Sequence, residues 1–348
     1  MVDNKWVFRL KLNPDGTIQK RKARLVARGF TQRYGFDFNE TYSPVVKMST
    51  VRMMLAFANQ HDYAIHQMDV TAAFLNGSLS EDIYMRQPKG FEDGEKVCKL
   101  RKSLYGLKQA SKSWNDRFNA FAARIDFRRC EEDTCLYVRN KEQIPLYLLL
   151  YVDDVLIIAK DVREIEIVKE LLRHEFKMQD LGEAQMFLGL YIERDMRAGV
   201  LKLSQQGYVD AVLKRFGMKL CKPASTPIEV GLQLQKGTNN SYLDKPYREL
   251  IGCLTYLMIT SRPDISAAVS YFSQFQSSPA QEHWVHAKRI LRYLSGTPSR
   301  GLVYRENDVN NRQIVGFADA NYMLKQLPGL PESNRQLPCH RPRPSVQP

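Results

Sequence analysis

The sequence predicts an α+β protein, and three observations carry that reading. Segments that alternate apolar and polar residues are interleaved with segments whose apolar residues recur at helical spacing. Two adjacent aspartates, Asp153 and Asp154, interrupt the most apolar stretch of the chain, Ile144 to Ala159. At 348 residues, 44% hydrophobic and 26% charged, the chain is long enough to bury a sizeable core in two or three lobes.

Residues 5 to 30 carry a β-hairpin pattern. Trp6-Val7-Phe8-Arg9-Leu10-Lys11-Leu12 alternates, Asn13-Pro14-Asp15-Gly16 turns, and Lys22 to Gly29 alternates back. The charged positions are one-sidedly basic: Arg9, Lys11, Lys20, Arg21, Lys22, Arg24 and Arg28 stand against Asp15. A solvated strand face accounts for charge in general, but a bias of one sign points to an anionic partner. Thr50 to Asp62 reads as a helix, and His66 to Val70 as a short strand running into Thr71 to Gly77. Over residues 111 to 128, Trp114, Phe118, Phe121 and Ile125 recur at helical spacing, as a core stripe does.

Two strands flank the aspartate pair, and a helix follows from Asp161 to Phe176 with Ile165, Val168, Leu172 and Phe176 on one stripe. Phe187 to Ile192 reads as a single strand, Gly199 to Gln206 as turn-rich, and Gln206 to Phe216 as a helix. A Pro/Gly/Ser/Asn-rich linker spans 222–246, and two helical stretches, 247–276 and 280–295, precede an apolar segment from Ile314 to Tyr322. Residues 325–348 are rich in proline and arginine without apolar periodicity, which predicts a disordered tail.

The formal net charge of +13 implies an anionic macromolecular partner, nucleic acid being the commonest. Six scattered cysteines form no Cys-x-x-Cys pair, which argues against a disulfide framework or a zinc site. No leader-like segment is read, and the two carboxylates split the apolar run before it could span a bilayer. An intracellular protein without a membrane anchor is therefore expected. His283-Trp284-Val285-His286 sets two histidines one helical turn apart, but no third ligand lies near, so a solvated helix face is expected there.

A carboxylate buried without a partner costs several kcal/mol or is neutralised, so two in an apolar run suggest a cation that keeps them charged. Asp69, at a strand end, and Asp153 with Asp154, in a turn between strands, are the candidates to converge on such an ion. Mg²⁺ prefers oxygen ligands and shares its coordination with substrate phosphates. Two such ions activate an attacking hydroxyl and stabilise a leaving pyrophosphate. Neighbouring strand residues point to opposite faces, so the pair can serve one site only where the chain bends. On spacing alone a solvated Asp-Asp turn remains an equal reading.

Tyr151-Val152-Asp153-Asp154 resembles the catalytic turn of retroelement reverse transcriptases, and the text around it is similar to the copia-type (Ty1/copia) class. Trp6-Val7-Phe8, Lys22 to Gly29, His66 to Gly77, Ile83-Tyr84-Met85, Leu104 to Gln109, Phe187-Leu188-Gly189, Ser225-Thr226-Pro227 and Ser261 to Asp264 stand in that family's order. The resemblance runs over residues 5 to 322. It implies a right-hand polymerase of fingers, palm and thumb with a helical connection, acting as an RNA-directed DNA polymerase.

Asp69, Asp153 and Asp154 are then expected as the catalytic, metal-binding triad for two Mg²⁺ ions, with Mn²⁺ as an alternative. Lys11 and Arg24 match the basic positions that hold the incoming triphosphate, and Tyr105 with Gly106 falls where the nucleotide pocket is lined. Phe74 matches the aromatic gate that excludes a ribose 2′-hydroxyl, against plain core packing as its alternative. Phe187-Leu188-Gly189 resembles the turn that grips the primer end, where glycine permits close approach of a nucleic-acid backbone.

The expected partners are an RNA template, a DNA or tRNA primer and deoxynucleoside triphosphates, in the cytoplasm or virus-like particles with access to the nucleus. The resemblance divides the chain into fingers and palm at 1–195, a thumb- and connection-like helical region at 196–310, and the first strand of a ribonuclease H domain at 311–324. Asp319 would be the first metal ligand of that last domain, which is expected to be truncated and inactive, followed by the 325–348 tail. Family members are segments of a Pol polyprotein. A decayed copy that binds nucleic acid without turnover is therefore the alternative function.

Overall fold

The computed structural model describes residues 1–12, 17–141, 144–235 and 244–306. The expected ribonuclease H strand with Asp319 and the proline-rich tail lie outside the described residues. Within Met1–Glu306 the fold mixes helices with antiparallel sheets.

The N-terminal pattern forms a two-stranded ribbon, β1 (Asn4–Leu12) against β2 (Ile18–Ala27). Helix α1 (Met48–Gln60) and strand β3 (Ala64–Val70) follow, then the short pair β4 (Tyr84–Met85) and β5 (Cys98–Lys99). Helix α2 (Ala110–Arg124) precedes β6 (Arg128–Arg129), β7 (Leu136–Lys141), β8 (Ile144–Tyr151) and β9 (Asp154–Ala159). Asp161 caps helix α3 (Val162–Glu175) by accepting from the Arg163 N–H, and Glu164 in its first turn and Arg173 in its last suit the helix dipole. Strand β10 (Met178–Glu183) closes a six-stranded sheet in the order β10-β3-β9-β8-β7-β6.

That sheet explains the apolar run around the aspartates, because both of its faces are covered. From β9, Val155, Ile157 and Ala159 pack with Trp114, Phe118 and Phe121 of α2 and Ile165, Val168 and Leu172 of α3. Leu156 and Ile158 face the other way, onto α1 and a second sheet. A strand buried on both faces needs apolar residues at nearly every position.

The second sheet comprises β11 (Met186–Phe187), β12 (Leu190–Asp195), β13 (Val200–Ser204) and, after the helices, β14 (Leu302–Arg305). Two expectations are corrected here. Phe187 to Ile192 is not one strand: Leu188 and Gly189 both have positive φ, 50° and 74°, the pattern of a two-residue type I′ turn, and Phe187 pairs back onto Leu190. The segment from Gly199 is not merely turn-rich, since Leu201 and Leu203 of β13 are buried under α1. The sheet thus takes strands from both sides of position 195.

Helices α4 (Gln206–Arg215), α5 (Tyr247–Thr260), α6 (Ser266–Ser273) and α7 (Gln281–Gly296) enclose a separate apolar cluster. The stretch 247–276 breaks at Ser261-Arg262-Pro263, as proline within a helical pattern requires. The expected solvated face at His283 is also overturned. His283 is fully buried and stacked on Phe275; its Nδ1 accepts from the Ala280 N–H and its Nε2–H donates to the Gln235 carbonyl. No described helix is long and apolar enough to cross a membrane.

Candidate active site

The two aspartate positions meet because β3 and β9 are antiparallel neighbours whose register sets Asp69 opposite Asp154. The β8–β9 hairpin supplies the bend that a straight strand could not: Tyr151 pairs with Asp154, leaving Val152 and Asp153 as its two turn residues. Val152 has a φ of +53°, a real outlier for a β-branched side chain. Such strain persists only where the surroundings hold it. Here the Trp114 indole N–H donates to the Val152 carbonyl at 2.7 Å, and the Val70 N–H donates to the Asp153 carbonyl at 2.7 Å.

Asp69 and Asp153 line one cleft of about 440 Å³. Its basic wall comes from β2, as Lys20, Lys22 and Arg24, and the far side carries Tyr105, Leu75 and Gln179. Burial raises the Asp153 carboxyl, Asp69 and Asp154 push it further, and Lys22 and Arg24 only partly offset this, so its pKa stands at about 6. Asp154 is also raised, by burial first, although the Gln67 amide donates to its Oδ1 at 3.1 Å and opposes the shift. One oxygen of Asp153, Oδ1, is buried with no hydrogen-bond partner.

An orphaned carboxylate oxygen beside a second carboxylate fits a hard divalent cation. Among the described residues no three acidic, histidine or cysteine side chains are gathered into a ready-made cage. Mg²⁺ does not require one, since it takes one or two protein carboxylates and fills its sphere with water and substrate phosphates. Asp69 and Asp153 would hold it, with Asp154 fixed beside them by Gln67.

The other expected positions separate into those the fold brings to the cleft and those it does not. Arg24 is at the cleft, its guanidinium 5.6 Å from the centre of the Tyr105 ring. Phe74 meets Tyr105 edge to face at 4.7 Å without lining the cleft itself, so its contact with the cleft runs through that ring. Gly106 does not line the cleft: with φ +93°, it lets the chain pass so close to β2 that a Cβ would lie 2.1 Å from the Ala27 carbonyl oxygen. Lys11 is placed by its backbone alone, opposite Lys20 on the ribbon.

Phe187 is fully buried in the core shared by the two sheets, which leaves Leu188 and Gly189 as the turn available to a ligand. Sequence reading missed Lys20 and Gln179 as cleft residues, gave Lys22 no site role, and missed Gln67 and Trp114 as supports. Lys20 and Lys22 were legible as alternate basic residues on one ribbon face. Gln67 and Trp114 act across long sequence separations that no local pattern reports.

Residues 1–230 match the family described as reverse transcriptase (RNA-dependent DNA polymerase). The chain belongs to that family. It is 43% identical over 328 residues to the retrovirus-related Pol polyprotein from transposon TNT 1-94 of Nicotiana tabacum, a match covering 91% of this chain and 24% of that one. Against the Pol polyprotein from transposon RE1 of Arabidopsis thaliana it is 40% identical over 326 residues, covering 92% and 22%. A transposon Ty5-1 protein of Saccharomyces cerevisiae shares 37% identity over 259 residues, 73% of this chain and 83% of that one.

These relatives bear out the copia-type resemblance, and the chain spans less than a quarter of the length of the two plant polyproteins. A telomerase structure from Candida albicans, in complex with a fragment of telomeric RNA, aligns at 10% identity and a TM-score of 0.31 over 84% of this chain and 60% of that one. That likeness is too distant to argue from.

Proposed function

We propose that this chain is the RNA-directed DNA polymerase module of a copia-type retrotransposon, with Asp69 and Asp153 at the centre of nucleotidyl transfer. The observation that carries the proposal is the cleft itself. Two carboxylates, one with an orphaned buried oxygen, face Lys20, Lys22 and Arg24 across a space of nucleotide size. In the reaction the primer 3′-oxygen bonds to the α-phosphorus of a deoxynucleoside triphosphate, the hydroxyl proton is given up, and pyrophosphate leaves.

Divalent cations, when bound, would supply Lewis-acid activation of the hydroxyl and neutralise the phosphates. The chain's own residues do the rest. Above pH 6 Asp153 is ionised and, with Asp69, offers anionic oxygen to that charge. Arg24 and the ribbon lysines neutralise the triphosphate, Arg24 with a planar fork suited to phosphate oxygens. Tyr105, braced by Phe74, forms the apolar wall against which the sugar packs, and the pair of rings excludes a 2′-hydroxyl. The Leu188–Gly189 turn holds the primer end.

In this reading the ribbon is the fingers, the six-stranded sheet the palm, and the helices from α4 onward the thumb and connection. Primer extension on an RNA template with Mg²⁺ tests it. Templated incorporation of deoxynucleotides is expected. Salt-sensitive binding of primer–template with no incorporation would replace this reading by that of an inactive nucleic-acid-binding remnant.

A further inference from the structure

Helix α5 reaches the primer-side turn through one side chain. The Tyr256 hydroxyl donates to the Leu188 carbonyl at 2.7 Å, and a Cβ on Gly189 would stand 3.1 Å from the Tyr256 hydroxyl oxygen. Leu188 has a φ of +50°, a left-handed conformation that is unfavourable for a leucine. A strained turn of this kind is held from outside, and the phenol supplies the hold. Tyr256 is itself braced edge to face by Tyr208 at 4.8 Å.

The same phenol lies near the hairpin that carries Asp153. Burial raises the Tyr256 pKa and the nearby Tyr151 hydroxyl raises it further, while the Gln205 side chain only partly opposes this, so at neutral pH it remains a donor. Tyr151 is the last residue of β8, pairs with Asp154, and precedes the strained Val152. Tyr151 and Leu188 also pack against one and the same apolar cluster. The two tight turns, one carrying Asp153 and the other Leu188–Gly189, thus share a neighbour in α5.

We propose that Tyr256 is a positioning residue: its bond to Leu188 lets α5 set where the primer-side turn stands relative to the Val152–Asp153 turn. The inference rests on the polymerase reading above and adds to it a residue that no motif marks. Tyr256 touches neither the cleft nor the reacting atoms, so its removal affects how the primer end is held and leaves the nucleotide side intact.

Tyr256→Phe keeps the ring and its packing while deleting the hydroxyl. In steady-state extension by the full chain, KM for primer–template is expected to rise about five-fold, the size of one lost hydrogen bond. KM for the deoxynucleotide and the melting temperature should stay close to wild type. Gly189→Ala should raise the same primer KM, and the double variant should show less than the product of the two effects, because both act on one contact. An unchanged primer KM, or a fall in every parameter together with the melting temperature, overturns the proposal while leaving the polymerase reading in place. No incorporation by the wild type overturns both.

Discussion

Asp153 concentrates the cost of this site in one carboxyl group. Its folded pKa of about 6 lies above the ordinary value near 3.8, so the folded state binds the proton more tightly than the unfolded chain. The stabilisation this gives is complete below pH 4 and is lost as pH rises through 6. In metal-free protein, Asp153→Asn should therefore unfold at higher denaturant than wild type at pH 7, by about 1–2 kcal/mol, and the gain should vanish near pH 4. Chemical denaturation at the two pH values measures this, and equal shifts at both would contradict the assigned cause. Phe74 makes a second prediction at this scale. Phe74→Val should lower discrimination against ribonucleotides at least about ten-fold, as judged from the ratio of kcat/KM for the two sugars. A loss of stability with unchanged discrimination would return Phe74 to plain core packing.

Two elements depend on single residues whose demands are steric or electrostatic. Gly106 lies against Ala27, whose N–H bonds the Tyr105 carbonyl at 2.7 Å, and Gly29 in turn stands so close that a Cβ would meet the Gly106 oxygen. Gly106→Ala should cost more than about 2 kcal/mol, read from thermal unfolding, because it combines a backbone clash with a positive φ. At the break between α5 and α6, Arg262 is 1% exposed and bonds Asp264 twice at 2.9 and 2.8 Å and the Thr297 carbonyl at 2.8 Å. Burial pushes the Asp264 carboxyl up, but Arg262 and the Tyr293 hydroxyl outweigh it and hold its pKa low. Arg262→Ala should cost about 3–5 kcal/mol and flatten the loss of stability on acidification through the carboxylate range. Wild-type-like melting would show that the helices do not depend on this pair.

These elements were unequally legible. The hairpin around Asp153 could be read because a strand covered on both faces leaves an unbroken apolar run. The Leu188–Gly189 turn could not be read from local pattern, because leucine gives no turn signal and the run continues through it; the family resemblance alone marked a turn there. Strand β13 was hidden by the glycine and the polar residues at its ends, although Leu201 and Leu203 alternate as a half-buried strand should. Of the site, the carboxylates and Arg24 were marked by motif. Gln67, Trp114 and Tyr256 were not, since each acts through a contact between segments distant in sequence.

Across the whole molecule 51 basic side chains stand against 38 acidic ones, and in the proposed function this excess serves to hold a polyanion beside a cleft that also contains carboxylates. Affinity for primer–template should fall by roughly three orders of magnitude between 50 and 200 mM salt if about six phosphates are neutralised. Fluorescence anisotropy over that range checks it, and a flat response would remove nucleic acid as the partner. The fold supports this division of labour: ribbon β1–β2 presents charge, the two-faced sheet fixes Asp69 and Asp153, and α5 reaches the second turn. The most direct measurement of the central claim is single-nucleotide incorporation on an RNA template by wild type, Asp69→Asn and Asp153→Asn at matched primer–template binding. Wild-type incorporation with both variants reduced at least about a thousand-fold is the predicted result; incorporation that survives in either variant would contradict the assignment.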